Sequence, residues 1–264
     1  MTHHYAGLIP LLLSILGMFC GGVLSAQDID NVSPSRRPFN SKDVTKISWR
    51  DVARKMPKEW YGSKEALNVA DTVMYYQFPS GGWTKNHHWN QTRDRAELRH
   101  DMATTGVGST IDNMATTLEM VFLAKVYNAT GDVQYKDALV KAVNYLLEMQ
   151  YDNGGWPQYY PLKVNKKGVP DYSAQITFND WAMLNAMKTL RDIANEKAPY
   201  QTLVLSEDLK KKAAEEVERG RKCILDCQVR IDGKLTVWCQ QHDRVTLLPT
   251  KARAYELPSL TGSG

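Results

Sequence analysis

Hydrophobic positions recur at helical spacing in five long stretches of the chain. Between Pro57 and Gln77, the residues Ala66, Val69, Ala70, Val73 and Met74 fall on one side, while Asn68, Asp71 and Thr72 fall on the other. That is the 3.6-residue pattern of a half-buried helix. Gln134–Gln150 and Glu207–Gln228 are amphipathic in the same way, with Ala138, Leu139, Ala142, Val143, Leu146 and Met149 on the apolar face of the first. Ile111–Ala129 and Ile176–Ala194 are apolar around more of their circumference, which predicts deeper burial. Asp112 and Asp180 stand at or near the starts of these two segments, where a short polar side chain caps free backbone amides.

The amphipathic stretches end alike. Each closes on a glutamine (Gln77, Gln150, Gln228), followed by a Gly-containing turn and a tryptophan (Trp83, Trp156, Trp238). The first two turns read QFPSGGW and QYDNGGW, and QVRIDGKLTVW is a degenerate third copy, at spacings of 73 and 78 residues. A period this long, with two helices in each unit, predicts stacked helical hairpins. Closed in a circle, such hairpins form a mainly α fold, an α/α barrel or toroid with amphipathic helices outside and apolar helices inside. All inner helices then begin at one end, so Asp112, Asp180 and the region of Arg253 converge on one cleft. Capping alone accounts for either Asp taken singly; two carboxylates and an arginine at matching places of a repeat point to a site. Trp83 and Trp156 admit two roles, stacking on a sugar or pinning the turn to the core. Lys85, His87, His88 and Trp89 follow closely enough to line the cleft.

The N-terminus changes the setting. IPLLLSILGMF is a short apolar run followed by Gly-Gly and then Leu24-Ser25-Ala26, the form of a cleaved secretory signal and too short for a membrane span. Residues 1–26 are read as that signal, 27–46 as a polar lead-in and 47–264 as the working domain. The mature chain is expected outside the cytoplasm, secreted or periplasmic, monomeric and without a membrane partner. With 33 Lys and Arg against 29 Asp and Glu, the net charge of +4 comes without a dense basic cluster, which argues against nucleic acid. After signal removal Cys223, Cys227 and Cys239 remain, an odd number without zinc-finger spacing. Buried thiols, with at most one bridge to Cys239, are expected.

Five separate motifs, FPSGGWTKN, TIDNMATT, YDNGGWPQYYP, ITFND and PTKARAYELPSL, occur in order from about Ile47 to the end of the chain. Together they resemble the family 10 polysaccharide lyases, pectate lyases with a helical toroidal fold. The resemblance implies Ca²⁺-assisted β-elimination in polygalacturonate (pectate), leaving a 4,5-unsaturated uronate at the new end. Removing the C5 proton builds negative charge on the neighbouring carboxylate, which a hard cation held by oxygen ligands offsets. By the resemblance, Asp180 is the principal calcium ligand, Asp112 joins it once substrate is bound, and Asn113 contacts substrate. The resemblance makes Arg253 the base, although an arginine pKa above about 12 keeps that side chain protonated in most settings. Lys251 is the second candidate, as base or as a clamp on a substrate carboxylate. Lys85 and Trp83 complete the expected substrate-binding set. The resemblance also implies further chain beyond Gly264 carrying another cleft arginine, so the toroid is expected to be incomplete in these residues. Two other readings compete: a glycoside hydrolase using Asp112 and Asp180 as acid and base, and a pectin-binding protein without turnover.

Overall fold

The computed structural model describes residues 43–91, 108–252 and 257–258. The expected signal segment and Arg253 therefore lie outside the described residues. Six α-helices appear among those residues: α1 (Trp49–Lys55), α2 (Lys64–Tyr75), α3 (Thr117–Thr130), α4 (Val133–Glu148), α5 (Ala182–Ala194) and α6 (Glu207–Asp226). Their starts follow from local chemistry. Ser48, Ser63, Asp132 and Ser206 each accept a backbone N–H of the first turn, satisfying donors that would otherwise be left open. Gly131 ends α3 in the left-handed conformation, φ 71°, and turns the chain directly into α4.

The outer helices α2, α4 and α6 are amphipathic, whereas α3 buries Leu118, Glu119, Met120, Phe122, Leu123, Ala124 and Val126 around its circumference. Helix α5 departs from the expected all-round burial, since Leu184, Lys188 and Arg191 form an exposed side and it is as amphipathic as the outer helices. The packed pairs α3 with α4 and α5 with α6 are the predicted hairpins, and the fold is mainly α. Strands are limited to two short antiparallel pairs among the described residues: β1 (Ile176–Thr177) with β4 (Gln241–His242), and β2 (Arg230–Ile231) with β3 (Lys234–Leu235). Packing reaches residues before Ile47: Val44 is buried, and the Asn90 amide donates to the carbonyls of both Val44 and Ile47.

The repeated turns are stitches between outer helices. Gln77 Nε2 donates to Gly81 O (2.8 Å) in its own turn and to Ala138 O (2.9 Å) on α4. Gln150 Nε2 does the same with Gly154 O and with Glu216 O on α6, both at 2.9 Å. The tryptophans are fasteners too: Trp83, Trp156 and Trp238 donate their indole N–H to Val73 O, Leu146 O and Ile224 O, at 2.7, 2.9 and 2.6 Å. Trp83 and Trp156 are fully buried. The third turn departs from the other two because β2 and β3 extend it into a hairpin around Asp232-Gly233, both at positive φ, as a two-residue turn between twisted strands requires. Cys223, Cys227 and Cys239 are all free and buried, with the first two sulfurs 4.0 Å apart.

Candidate active site

After each tryptophan the chain crosses to the start of an inner helix, held by Thr110 N donating to Trp83 O and Thr177 N to Trp156 O. The inner helices do not begin where the apolar pattern places them. A turn intervenes in both cases, over residues 111–114 and 178–181, and its backbone repeats closely before the two copies diverge at Ala115 and Ala182. Ile111 and Phe178 stand at φ,ψ of −102°,−1° and −99°,−3°; Asn113 and Asp180 stand at 52°,34° and 50°,29°. Met114 and Trp181 follow at φ 62° and 59°. Two successive left-handed residues without glycine cost on the order of 1–3 kcal/mol each, and such strain collects at working sites.

This register corrects the sequence reading on two counts. Neither Asp112 nor Asp180 caps a helix; α3 and α5 start at Thr117 and Ala182, with no side-chain cap. The two aspartates are also not equivalent, because Asp180 matches Asn113 and Asp112 matches Asn179. The two turns pack against each other, so all four polar side chains belong to one patch.

Within that patch Asp112 is buried, its Oδ1 accepting the Asn113 N–H (3.1 Å) and its Oδ2 receiving a short hydrogen bond from Lys85 Nζ. Burial alone would push the Lys85 ammonium down, but the hydrogen bond and charge of Asp112, aided by Tyr159, outweigh it and hold the amine above its usual range. A buried carboxylate needs such a partner. Tyr159 reaches this pair because it bridges Thr110, two residues before Asp112, and burial raises its hydroxyl pKa. Asn113 is exposed and donates to Asn86 Oδ1 at 2.9 Å. Asp180 is exposed, its Oδ2 accepting the Asn179 amide at 2.8 Å. A cavity of about 170 Å³ adjoins Asn113 and is lined by Arg50, Thr84, Asn86 and His88 among others. A larger one, about 250 Å³, runs between α3 and α5 and meets this region only at Met114 and Leu118.

Of the residues singled out from sequence, Lys85, Asp112, Asn113 and Asp180 come together here. Trp83 does not: its indole is sealed in the core and has no face to offer a sugar. Lys251 is exposed and follows Thr250, whose N–H donates to Gln241 O beside β1. Trp181, half exposed and next to Asp180, is the aromatic that the turn presents. Sequence reading passed over it, along with Tyr159, Asn86 and Asn179. Matching IDNMA to FNDWA through Ala115 and Ala182 finds Asn179 and Trp181; only the fold finds the other two.

Glu119, in the first turn of α3, anchors the loop that delivers Lys85 and Asn86. Its Oε1 accepts the indole N–H of Trp49 on α1 and of Trp89, each at 2.7 Å, and Trp89 stacks on Tyr76 and His87. Burial pushes this carboxyl up to about 6, with the Trp89 and Trp49 donors opposing. The folded carboxyl thus holds its proton more tightly than an unfolded glutamate, so the group adds stability as pH falls from about 6 towards 4.5. Ionisation above pH 6 costs the fold about 2 kcal/mol. Glu119→Gln is expected to remove this increment, so that melting curves taken at pH 4.5 and pH 7 show a gap to wild type that changes with pH. A constant gap would refute it.

Stacked hairpins with a strained polar patch in the turns that precede α3 and α5 define a mainly α protein whose candidate site lies where those two helices begin. The family model for pectic acid lyase matches residues 77–264, and the chain belongs to that family. Among solved structures it is similar to a family 10 polysaccharide lyase from Cellvibrio cellulosa, with 38% identity, TM-score 0.64, and coverage of 80% of this chain and 59% of that one. An aspartate-to-alanine mutant of the family 10 lyase from that organism, in complex with trigalacturonic acid, matches at 39% identity and TM-score 0.64, over 80% of this chain and 60% of the other. The chain thus spans about 60% of the length of the structures it matches. No curated protein matches.

Proposed function

We propose that this chain forms the catalytic cleft of a pectate lyase, cleaving polygalacturonate by cation-assisted β-elimination. The observation that carries the reading is the paired left-handed turn, which sets Asp180, Asn113 and the Lys85–Asp112 pair on one face. A related lyase holding trigalacturonic acid supports the substrate class.

The donors fit a calcium-like cation in kind. They are carboxylate and amide oxygens, the ligands that hard cations take. Among the described residues no group of three or more His, Cys, Asp or Glu is placed to hold a metal. Asp180 would hold the ion, with amide oxygens beside it and substrate completing its shell. Asp112, engaged by Lys85, would join only when that ammonium turns to another anion. When bound, the cation neutralises charge developing on the uronate carboxylate. The chain's own residues do the rest. Lys85 presents a fixed positive charge, Asn86 and Asn113 offer amides to sugar hydroxyls, and Trp181 offers a ring face. Arg253, by its motif, would take the C5 proton in its neutral form as the C4–O bond breaks, the departing glycosidic oxygen taking a proton from solvent, with Lys251 as second candidate for the base.

The test is ultraviolet absorbance of the conjugated double bond in the product. Polygalacturonate incubated with the protein is expected to show a steady rise that stops on adding chelator and resumes with calcium. New reducing ends without that absorbance would establish hydrolysis instead.

A further inference from the structure

We propose that Lys163 clamps a carboxylate of the uronate chain beside the Lys85–Asp112 pair. This rests on the reading of the cleft as a polyuronate site and adds a subsite to it. Residues 163–171 form a small hairpin: Asp171 N donates to Lys163 O, Asn165 N to Val169 O, and Val164 bridges Pro170. The Asn165 side chain ties Lys167 N and Val169 N, and Gly168, at φ 73°, turns the tip. Lys163 therefore sits at the base, against the fold, while Lys166 and Lys167 stand exposed near the tip.

The Lys163 ammonium lies 3.9 Å from the centre of the Tyr159 ring. Tyr159 faces Lys85 and Asp112, so two ammoniums flank one phenol. Lys85 has its carboxylate. Lys163 has none at ion-pair distance among the described residues. The nearest acid in sequence, Asp171, spends its Oδ1 on Ser173 N (2.8 Å) and Ser173 Oγ (2.5 Å), capping the turn that follows. A half-buried ammonium that rests on a ring face, with Asp171 and Asp112 acting on it only through space, is incompletely compensated, and burial still outweighs those two carboxylates and lowers the amine pKa. The missing partner is an anion arriving from the cleft. A polyuronate supplies one carboxylate per sugar, so the unit next to the one at Lys85 can present its own to Lys163.

The test is calorimetric binding of trigalacturonic acid, and of its neutral trimethyl ester, to the full chain and its variants. Lys163→Met is expected to weaken the acid roughly tenfold or more, the scale of a lost hydrogen bond to a charged group, and to leave the ester unchanged. Lys163→Arg should stay within about threefold of wild type, since the charge remains. The double variant Lys166→Met/Lys167→Met should also stay close to wild type, exposed charges being largely screened at physiological salt. Equal acid affinity in Lys163→Met and wild type would overturn the clamp alone. Equal losses for acid and ester would assign the effect to packing on Tyr159 and also overturn it. Failure of the wild type to bind the acid at all would overturn the reading of the cleft, and the clamp with it.

Discussion

Asp180→Asn is expected to lower the rate of unsaturated-product formation by about 100-fold or more and to flatten its response to calcium, while leaving the melting temperature near that of wild type. The size follows from losing a preorganised charge at the place where charge develops, commonly worth 10²–10³ in rate. The neutrality of the fold follows from the backbone. Asp180 stands at φ 50°, ψ 29°, where asparagine is as well suited as aspartate, and Asn113 already occupies the matching place in the other turn. Asp180 is exposed and its carboxylate accepts from the neighbouring Asn179 amide, so little packing depends on the charge. The measurement is initial rate against calcium concentration, with chelator as baseline. A variant that keeps both its rate and its calcium response would remove Asp180 from the metal site.

The second large effect concerns stability. Gly154→Ala is expected to cost at least about 3 kcal/mol, or roughly 10 °C in melting temperature for a domain of this size, and to leave much of the protein insoluble. Gly154 stands at φ +89°, and an added Cβ would lie 2.2 Å from Arg219 O and 2.5 Å from its carbonyl carbon on α6. Backbone cannot give way as a side-chain tip can. Gly233 is the control: its φ of +77° carries the same conformational penalty, but an added Cβ meets nothing within 4 Å. Gly233→Ala is expected to cost only about 1 kcal/mol, the backbone penalty by itself. Equal losses at the two glycines would show that the approach to α6 is looser than the structure has it.

The outer wall of this fold is legible in sequence because its period is long and regular. Gln77, Gln150 and Gln228, each followed by a turn and a tryptophan, mark the units, and all-round apolarity picks out α3 as an inner helix but not α5, which is amphipathic like the outer ones. The site is half legible. Lys85, Asp112, Asn113 and Asp180 fall in short motifs near the inner helix starts, and they do meet. The pairing of Asp112 with Asp180 failed because identical letters are not identical places. The left-handed turn sets its own register, with Asn and Asp exchanging roles from one copy to the next. Capping failed for a related reason, since the turn leaves Thr116 and Trp181, not an aspartate, at the helix boundaries. The burial of Trp83 was open in sequence because the same ring can stack on sugar or fill a core. Its hydrogen bond to Val73 O decides it. Lys163 lies in the polar stretch between α4 and α5, and its place against Tyr159 depends on a hairpin that no local pattern announces.

The stitching of the outer helices bears on how the chain assembles as it leaves the ribosome. The first turn is closed by Ala138 O and pressed against Lys141 O; the second is closed by Glu216 O and pressed against Arg219 O. Neither of the first two units is finished by its own residues, since each waits for a helix that is synthesised about 60 residues later. Stability in such an array passes from neighbour to neighbour. A nascent chain halted before residue 138 would display an unsealed glutamine and two bare glycines, and so an adhesive edge until the next helix arrives.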